Sequence, residues 1–518
     1  MENVWGHFDK YRKRGKNMIW EKLGWKAGRG NRGIGIFVIC LLGLLLLGGC
    51  REFNPLELDS APELVEAIKA NRVMDPLSEE EAREKIKGYL YPYDEFAEVD
   101  PEKIRFLEGQ VVSEISREDA LEEIDFLFKM LKYGYAGYGL FGGDETFARS
   151  KEKIKEEIRE LEVLPIVEYR AIIIENLSFI NDGHFRIGNQ ALFTRHHFHY
   201  SREIDFARDE RGFYTISEGE NNYLDSVNGK DPEEYLKLSL NEEGKLVYRL
   251  AKVTPGDGWP YPVTLSYADN RRPEEEVNLF PIQSRGFDRV IYDSYEKDGL
   301  PVVVNRIAPG LEEAERKRFT EGAKELKDAK VAILDIRGHV GGSDMYGRGW
   351  VKNYTSSLRT PARGGVYVDL RTQTAQQFLV RWNEGLGLDA GWARSRFSPV
   401  AGGWSDINFS NPRFQKNDRY LIVLIDDNNA SAGESFVRFL KQVENVIIIG
   451  SNTSGVSTVG NVGTFFLPTS AIPIQMGVSI FLGLDLEIRE GIGIEPDIWV
   501  DPRGSVELAV KFANNYLR

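Results

Sequence analysis

The stretch Asp426-Asp427-Asn428-Asn429-Ala430-Ser431-Ala432-Gly433-Glu434 divides two segments of different period. Before it, Tyr420–Ile425 (YLIVLI) is an unbroken apolar run, the pattern of a strand buried on both faces. After it, Phe436, Phe439, Leu440 and Val443 fall on one face of a helix. Ser431 therefore stands where a buried strand gives way to a helix. A hydroxyl there is held rigidly, and the unpaired amides of the first helical turn point towards it. That geometry suits a nucleophile whose substrate develops an oxyanion. A competing local reading is a capping box, in which Ser431 caps the helix and Glu434 reaches back to it.

Outward from this junction the change of period repeats. Residues 302–304 (VVV) read as strand, 311–330 as a helix with Phe319, Ala323 and Leu326 inward, and 331–336 (VAILDI) as a buried strand. Residues 446–449 add a strand beyond the Ser431 helix. This alternation predicts an α/β domain with crossover helices over residues 285–518. Residues 196–284 are β-rich. Within them 223–230, an Asn228-Gly229 turn and a short helix expected over 232–238 are similar to the middle of a PDZ domain. Residues 78–195 read as a helical domain. Ser116 and Asp119 open a helix to Lys132, 151–164 is a charged helix, and Pro165 starts another. That last helix is expected to break at a sharp turn, Asn181-Asp182-Gly183-His184.

The chain has 518 residues and a net charge of −14, from 66 basic and 80 acidic side chains. An acidic chain of this kind is unsuited to nucleic acid, which needs basic patches against phosphates. The two cysteines are Cys40 and Cys50, so no disulfide or thiolate metal site can form in the rest of the chain. Residues 1–49 read as a signal segment: a basic start, then the apolar run 34–47. The ending Leu47-Gly48-Gly49-Cys50 resembles the bacterial lipobox, which implies lipidation of Cys50 and a membrane anchor. A retained signal anchor is the rival, but the run is short for a span of roughly 20 residues. Residues 50–77 read as a polar tether.

Four further stretches could carry chemistry. Asp182-Gly183-His184 places a histidine at the end of an element. Asp335-Ile336-Arg337-Gly338-His339-Val340-Gly341-Gly342 ends a buried strand in glycines, which let backbone amides approach a ligand closely. It is not a phosphate loop, because no Lys-Ser/Thr follows. Gly450–Ser457 is a small-residue loop, and Glu490–Asp497 brings several carboxylates.

Taken in order, these stretches resemble the C-terminal processing, tail-specific and tricorn-like serine peptidase family. The matching residues are Asp335, Arg337, Gly341 and Gly342; Ser431, Ala432 and Glu434; the loop from Gly450; and Gly493, Glu495, Pro496 and Asp497. They cover residues 285–505. The resemblance implies an α/β catalytic domain of crotonase-like ββα type. It also implies Ser431 as nucleophile, with the amides of Gly341 or Gly342 and of Ala432 as the oxyanion hole. In one branch of the family the base is a Lys within Gly-Lys-Gly; here that position reads Gly455-Val456-Ser457, and no Lys occurs between Lys441 and Lys511. The Ser-His-Glu branch then implies His184 as base and Glu490 as its support, with Glu487 and Glu495 as rivals to Glu490.

Two other chemistries compete. His196, His197 and His199 form a dense cluster, and His197 and His199 would share a strand face, but no third metal ligand stands at a recognisable spacing. Gly-x-Ser-x-Gly is absent around Ser431, which argues against an α/β-hydrolase esterase. The sequence thus predicts a multidomain α/β protein with a helical N-terminal domain and a small β-rich, PDZ-like insertion. Its expected function is that of an exported, lipid-anchored serine endopeptidase acting on peptides or proteins without a cofactor. The alternative is a surface peptide-binding lipoprotein of the same fold that has lost turnover.

Overall fold

The run Tyr420–Ile425 is a strand with a parallel partner on each edge, and its side chains enter two different cores. Ile422 and Leu424 face a cluster closed by the helix Ser505–Tyr516 through Ala509, Val510 and Phe512. Leu421, Val423 and Ile425 face a second cluster, closed by Phe319, Trp350, Phe436 and Leu440 from three other helices. Val331–Asp335 and Val446–Gly450, its partners on either side, divide their residues in the same way. Apolar runs without polar alternation are what a parallel sheet covered on both faces requires.

The computed structural model describes residues 61–70, 78–93, 99, 103–106 and 112–518, the last span without 218, 256–258, 269–271, 283–286, 289, 309–311 and 358. The expected signal segment 1–49 and Cys50 lie outside the described residues. Part of the expected tether, Ala61–Ala70, is a helix instead. Its Val65 and Ile68, three apart, are buried in the cluster beneath the parallel strands, which gives this segment a docking face rather than the solvated backbone of a linker.

The architecture is multidomain α/β. The parallel strands, edged by the antiparallel strand Asp293–Lys297, form one end of a 14-stranded sheet in the order Asp293–Lys297, Leu300–Val304, Val331–Asp335, Tyr420–Ile425, Val446–Gly450, Ile498–Trp499. The sheet continues through Leu236–Leu240 into the antiparallel strands of the β-rich segment. The helix expected over 232–238 is one 3₁₀ turn, Pro232–Glu234, and Leu236–Leu240 is a strand paired on both edges. Among the described residues no α-helix occurs between Asn176 and Glu313, so the PDZ likeness loses the helix it leaned on.

A second, six-stranded sheet carries the helical side of the molecule. Its order is Asn408–Ser410, Gly365–Asp369, Pro473–Leu482, Asp182–Ile187, Gln190–Leu192, with Val459–Phe466 also on Pro473–Leu482. The helices Arg117–Gly134, Gly143–Arg159 and Ile166–Asn176 pack on it through Leu127, Met130, Ile154 and Ile173. Asp182-Gly183-His184 is thus no turn. It begins a strand, whose Ile187 and Arg186 pair with Ile474 and Gln475.

Asp335 ends its strand fully buried and gripped by two arginines. Its Oδ2 accepts from Arg306 Nη2 and Arg337 Nη2, both at 2.6 Å, and its Oδ1 from Arg337 Nε at 2.8 Å. Arg337 also donates to the Pro502 carbonyl and lies over the Phe287 ring. Burial alone would raise the Asp335 carboxyl, but Arg337 and Arg306 outweigh it and hold it below its ordinary 3.8. Asp335→Asn leaves the buried Arg337 without its counter-charge and is expected to lower stability by about 3–5 kcal/mol. Because the folded pKa is depressed, this contribution is present above the unfolded value of 3.8 and is lost on acidification. Urea titrations of wild type and variant should therefore differ at pH 7 and converge below about pH 4; parallel curves across that range refute the assignment.

Candidate active site

The five residues before Ser431 form a turn held by side-chain and backbone hydrogen bonds, while the buried Asp427 Oδ1 has no partner. Asp426 Oδ1 accepts from the Gly338 amide at 2.8 Å, and Asn429 Oδ1 accepts from the Asp426 amide at 2.7 Å. Asn429 Nδ2 donates to the Ile336 carbonyl at 2.6 Å. The turn is thereby bolted to the glycine loop after the neighbouring strand. Arg195, 232 residues earlier in the chain, pairs with Asp427 Oδ2 at 3.0 Å.

Ser431 itself sits at φ 55, ψ −119, a backbone conformation that L-residues adopt only under constraint. The constraint is visible: its amide donates to the Val456 carbonyl at 2.9 Å, and the Ala430 amide donates to the His339 carbonyl at 3.1 Å. A Cβ on Gly433 would collide with that same His339 carbonyl, which explains the glycine two residues after the serine. The capping box is not formed. Ser431 makes no side-chain cap, since a residue at φ 55 does not have the extended backbone of an N-cap. Glu434 turns the other way. Its buried carboxylate accepts from Thr453 Oγ1 at 2.5 Å and from the amides of Gly455 at 3.1 Å and Val456 at 2.8 Å. It ties the helix to the small-residue loop.

Gly341 lies against the serine, and a Cβ there would stand 3.0 Å from Ser431 Cβ and 3.4 Å from its Oγ. Among the described residues the amides of Gly341, Gly342 and Ala432 have no protein acceptor, so they are free to donate into the space beside the hydroxyl. Ser431, Ala432, Gly342 and His184 line one cavity of about 990 Å³. Val456, which stands where the lysine branch has its base, is an apolar wall. A Cβ on Gly183 would lie 2.5 Å from its Cγ2, so the strand carrying His184 is packed directly on Val456.

The family model of peptidase family S41 matches residues 306–500. Residues 306–500 are thus a peptidase family S41 domain, the fold of a serine peptidase. No curated protein matches the sequence. Among solved structures, mature CPAF is similar at 15% identity and TM-score 0.41, over 77% of this chain and 97% of that one. The photosystem II D1 C-terminal processing protease aligns at 13% identity and TM-score 0.34, over 74% and 93%. The tricorn protease aligns at 12% identity and TM-score 0.34, over 76% and 35%.

The S41 domain supplies the serine and glycine amides, while His184 comes from outside the matched residues. Its backbone is pinned twice: its amide donates to Asp182 Oδ1 at 2.8 Å, and its carbonyl accepts from Gln475 Nε2 at 2.9 Å. The ring Nδ1 is buried without a partner. Burial, helped by the Arg186 charge, outweighs a backbone hydrogen bond at Val459 and pushes the imidazole down to about 4. His184 is therefore neutral at physiological pH.

Of the three rival glutamates, Glu490 alone is buried, at 4% exposure, while Glu487 and Glu495 are exposed. Glu490 Oε1 accepts from the Gly183 amide at 2.8 Å and Oε2 from the Thr458 amide at 3.2 Å. It clamps the residue before His184 to the loop that holds Val456. A second buried carboxylate, Asp182, accepts from Tyr135 Oη at 2.7 Å as well as from the His184 amide. The sequence reading missed Asp182 and Tyr135 as a pair, since nothing in their spacing links two residues 47 apart. The three clustered histidines do not converge. Both ring nitrogens of His199 contact backbone carbonyls, of His197 and Trp259, each at 3.0 Å. Among the described residues no three His, Cys, Asp or Glu side chains gather as metal ligands.

Burial and the charge of Asp182 push Glu490 up to about 8, and burial raises Asp182 to about 6. The pair keeps a proton into the neutral range. A folded pKa above the unfolded value of 4.5 means that stability is full below about pH 4.5 and falls as pH rises towards 8. Chemical denaturation from about pH 5 to 8 should show this decline in wild type and a flatter profile in Glu490→Gln. Identical slopes refute a shared buried proton.

Proposed function

We propose that this S41 peptidase is an exported endopeptidase, anchored through lipidated Cys50, that cleaves peptide bonds through a Ser431 acyl-enzyme with His184 as general base. The observation that carries the reading is the strained Ser431, set beside unpaired Gly341, Gly342 and Ala432 amides and sharing its cavity with a neutral imidazole whose Nδ1 has no partner. A peptide lying extended in the cleft presents its scissile carbonyl to Ser431 Oγ. His184 takes the Oγ proton as the new C–O bond forms, and the oxyanion receives the glycine and Ala432 N–H groups. Collapse breaks the C–N bond, and His184 gives its proton to the leaving amine. His184 then takes a proton from water, the hydroxide attacks the acyl carbon, and Ser431 leaves with that proton. Glu490 acts through the backbone it holds and is a positioning residue. A relative that only bound peptide would have no use for the strained serine and the unpaired amides, which argues against the non-catalytic alternative.

A fluorophosphonate probe should label wild type at Ser431 and leave Ser431→Ala unlabelled. His184→Gln should lower kcat/KM for a peptide substrate by at least about 10³-fold. Since the base is active when unprotonated, kcat/KM should rise with pH through the low pKa of His184, about 4, and be level across the neutral range. Equal labelling of wild type and Ser431→Ala, or an acid limb near pH 7, overturns the assignment.

A further inference from the structure

The chain is strongly acidic, but the cavity at Ser431 is not. Four arginines line it, Arg348, Arg363, Arg396 and Arg413, against the single carboxylate of Asp344. They come from four places around the rim: two helices, Asp344–Thr355 and Gly391–Arg396, and two loops. Arg396 is neutralised, with Nε and Nη2 on Asp369 at 2.8 and 2.9 Å. Asp344 is used by Arg363 Nη2 at 2.8 Å. That leaves the other two without a counter-ion among the described residues. Arg348 Nη1 meets the Pro361 carbonyl at 3.3 Å, and the exposed Arg413 guanidinium meets no acceptor.

Donors also remain open deeper in. Arg363 Nε is buried without a partner, with its guanidinium over the Phe481 ring at 4.7 Å. Arg438 Nη1 is likewise unpartnered, while its Nη2 donates to Ser457 Oγ, a lining group of the cavity, at 3.0 Å. Burial, with the charge of Arg363 adding to it, works against the protonated form of Arg348 despite the pull of Asp344. Guanidiniums held together on an apolar ring with donors unfilled are a receptor for a carboxylate, which they bind in a fork.

Resting on the peptidase reading above, we propose that the cleft selects peptides with an acidic side chain close to the scissile bond, the carboxylate entering among Arg348, Arg363 and Arg413. A chain-terminal carboxylate has the same chemistry. The spread of the arginines around the rim favours side chains, which approach from several positions along an extended peptide, over one terminus docked at one spot. The remaining acidity of the protein repels such peptides elsewhere, so the cleft is where they concentrate.

The test uses the full chain in detergent. Denatured β-casein is digested and its cleavage sites are mapped by mass spectrometry; the preferred sequence is then made as amidated peptides with Glu or Gln at each flanking position. Wild type is expected to favour the Glu peptides by about ten-fold in kcat/KM, mostly through KM, with the preference fading at high salt. Arg348→Gln and, separately, the solvent-exposed Arg413→Gln should bring the Glu/Gln ratio towards one. Cleavage with no Glu/Gln difference overturns the proposal and leaves the Ser431 reading standing. So does a response only to a free C-terminal carboxylate. If wild type cleaves nothing, the same peptides are titrated calorimetrically into Ser431→Ala. Tighter binding of the Glu peptides supports the proposal even as the peptidase reading falls, and equal binding overturns it.

Discussion

One buried carboxylate governs the arrangement at Ser431. Glu434 accepts from two loop amides and a threonine hydroxyl, and all three donors lie between Thr453 and Val456. Through that clamp the Val456 carbonyl is set to receive the Ser431 amide, and the Val456 side chain is set against Gly183. A charge in a dry interior is tolerable only when its lone pairs are filled by fixed donors, and this one is. Those donors belong to the backbone of a different segment, so the need to satisfy Glu434 also fixes the loop. The serine, its loop and the strand that delivers His184 are positioned together.

The junction at Ser431 was legible because two periodicities meet there, and the glycines at 341 and 342 because a buried strand ending in glycines lets backbone amides approach a ligand. What Glu434 does was not legible. A serine and a glutamate three apart describe a capping box on paper, and the pattern fails only because Ser431 adopts φ 55, which no spacing encodes. Asp182-Gly183-His184 reads as a turn for a similar reason. Its glycine is required by Val456, a residue 273 positions away, and not by a bend in the chain. Which of Glu487, Glu490 and Glu495 is buried could not follow from a glycine-rich loop either. The choice depends on the Gly183 and Thr458 amides waiting there. Long-range polar contacts leave no periodic trace, and most of this site is made of them.

The two sheets divide the labour. Parallel strands covered on both faces hold the serine, the glycine amides and the Asp335–arginine grip, all of which lie within the S41 match. The antiparallel sheet holds His184 and the floor beneath it, with strands drawn from both ends of the described chain. Val456 shapes the contact between the two halves, since an apolar residue there lets the His184 strand lie directly against it.

The pairing of Asp182–Ile187 with Pro473–Leu482 has a consequence for how the molecule comes into being. A strand made early must wait for one made nearly 300 residues later before it has a place. Closing so large a loop is slow, and it can occur only after the intervening chain has folded or at least collapsed. The serine half waits as well, since its sheet and core need Ile498–Trp499 and the helix Ser505–Tyr516, made later still. Completion of the chain is therefore a built-in timer. On the proposed mechanism, Ser431 and His184 therefore come together last, once little unfolded polypeptide of the chain's own remains for them to meet.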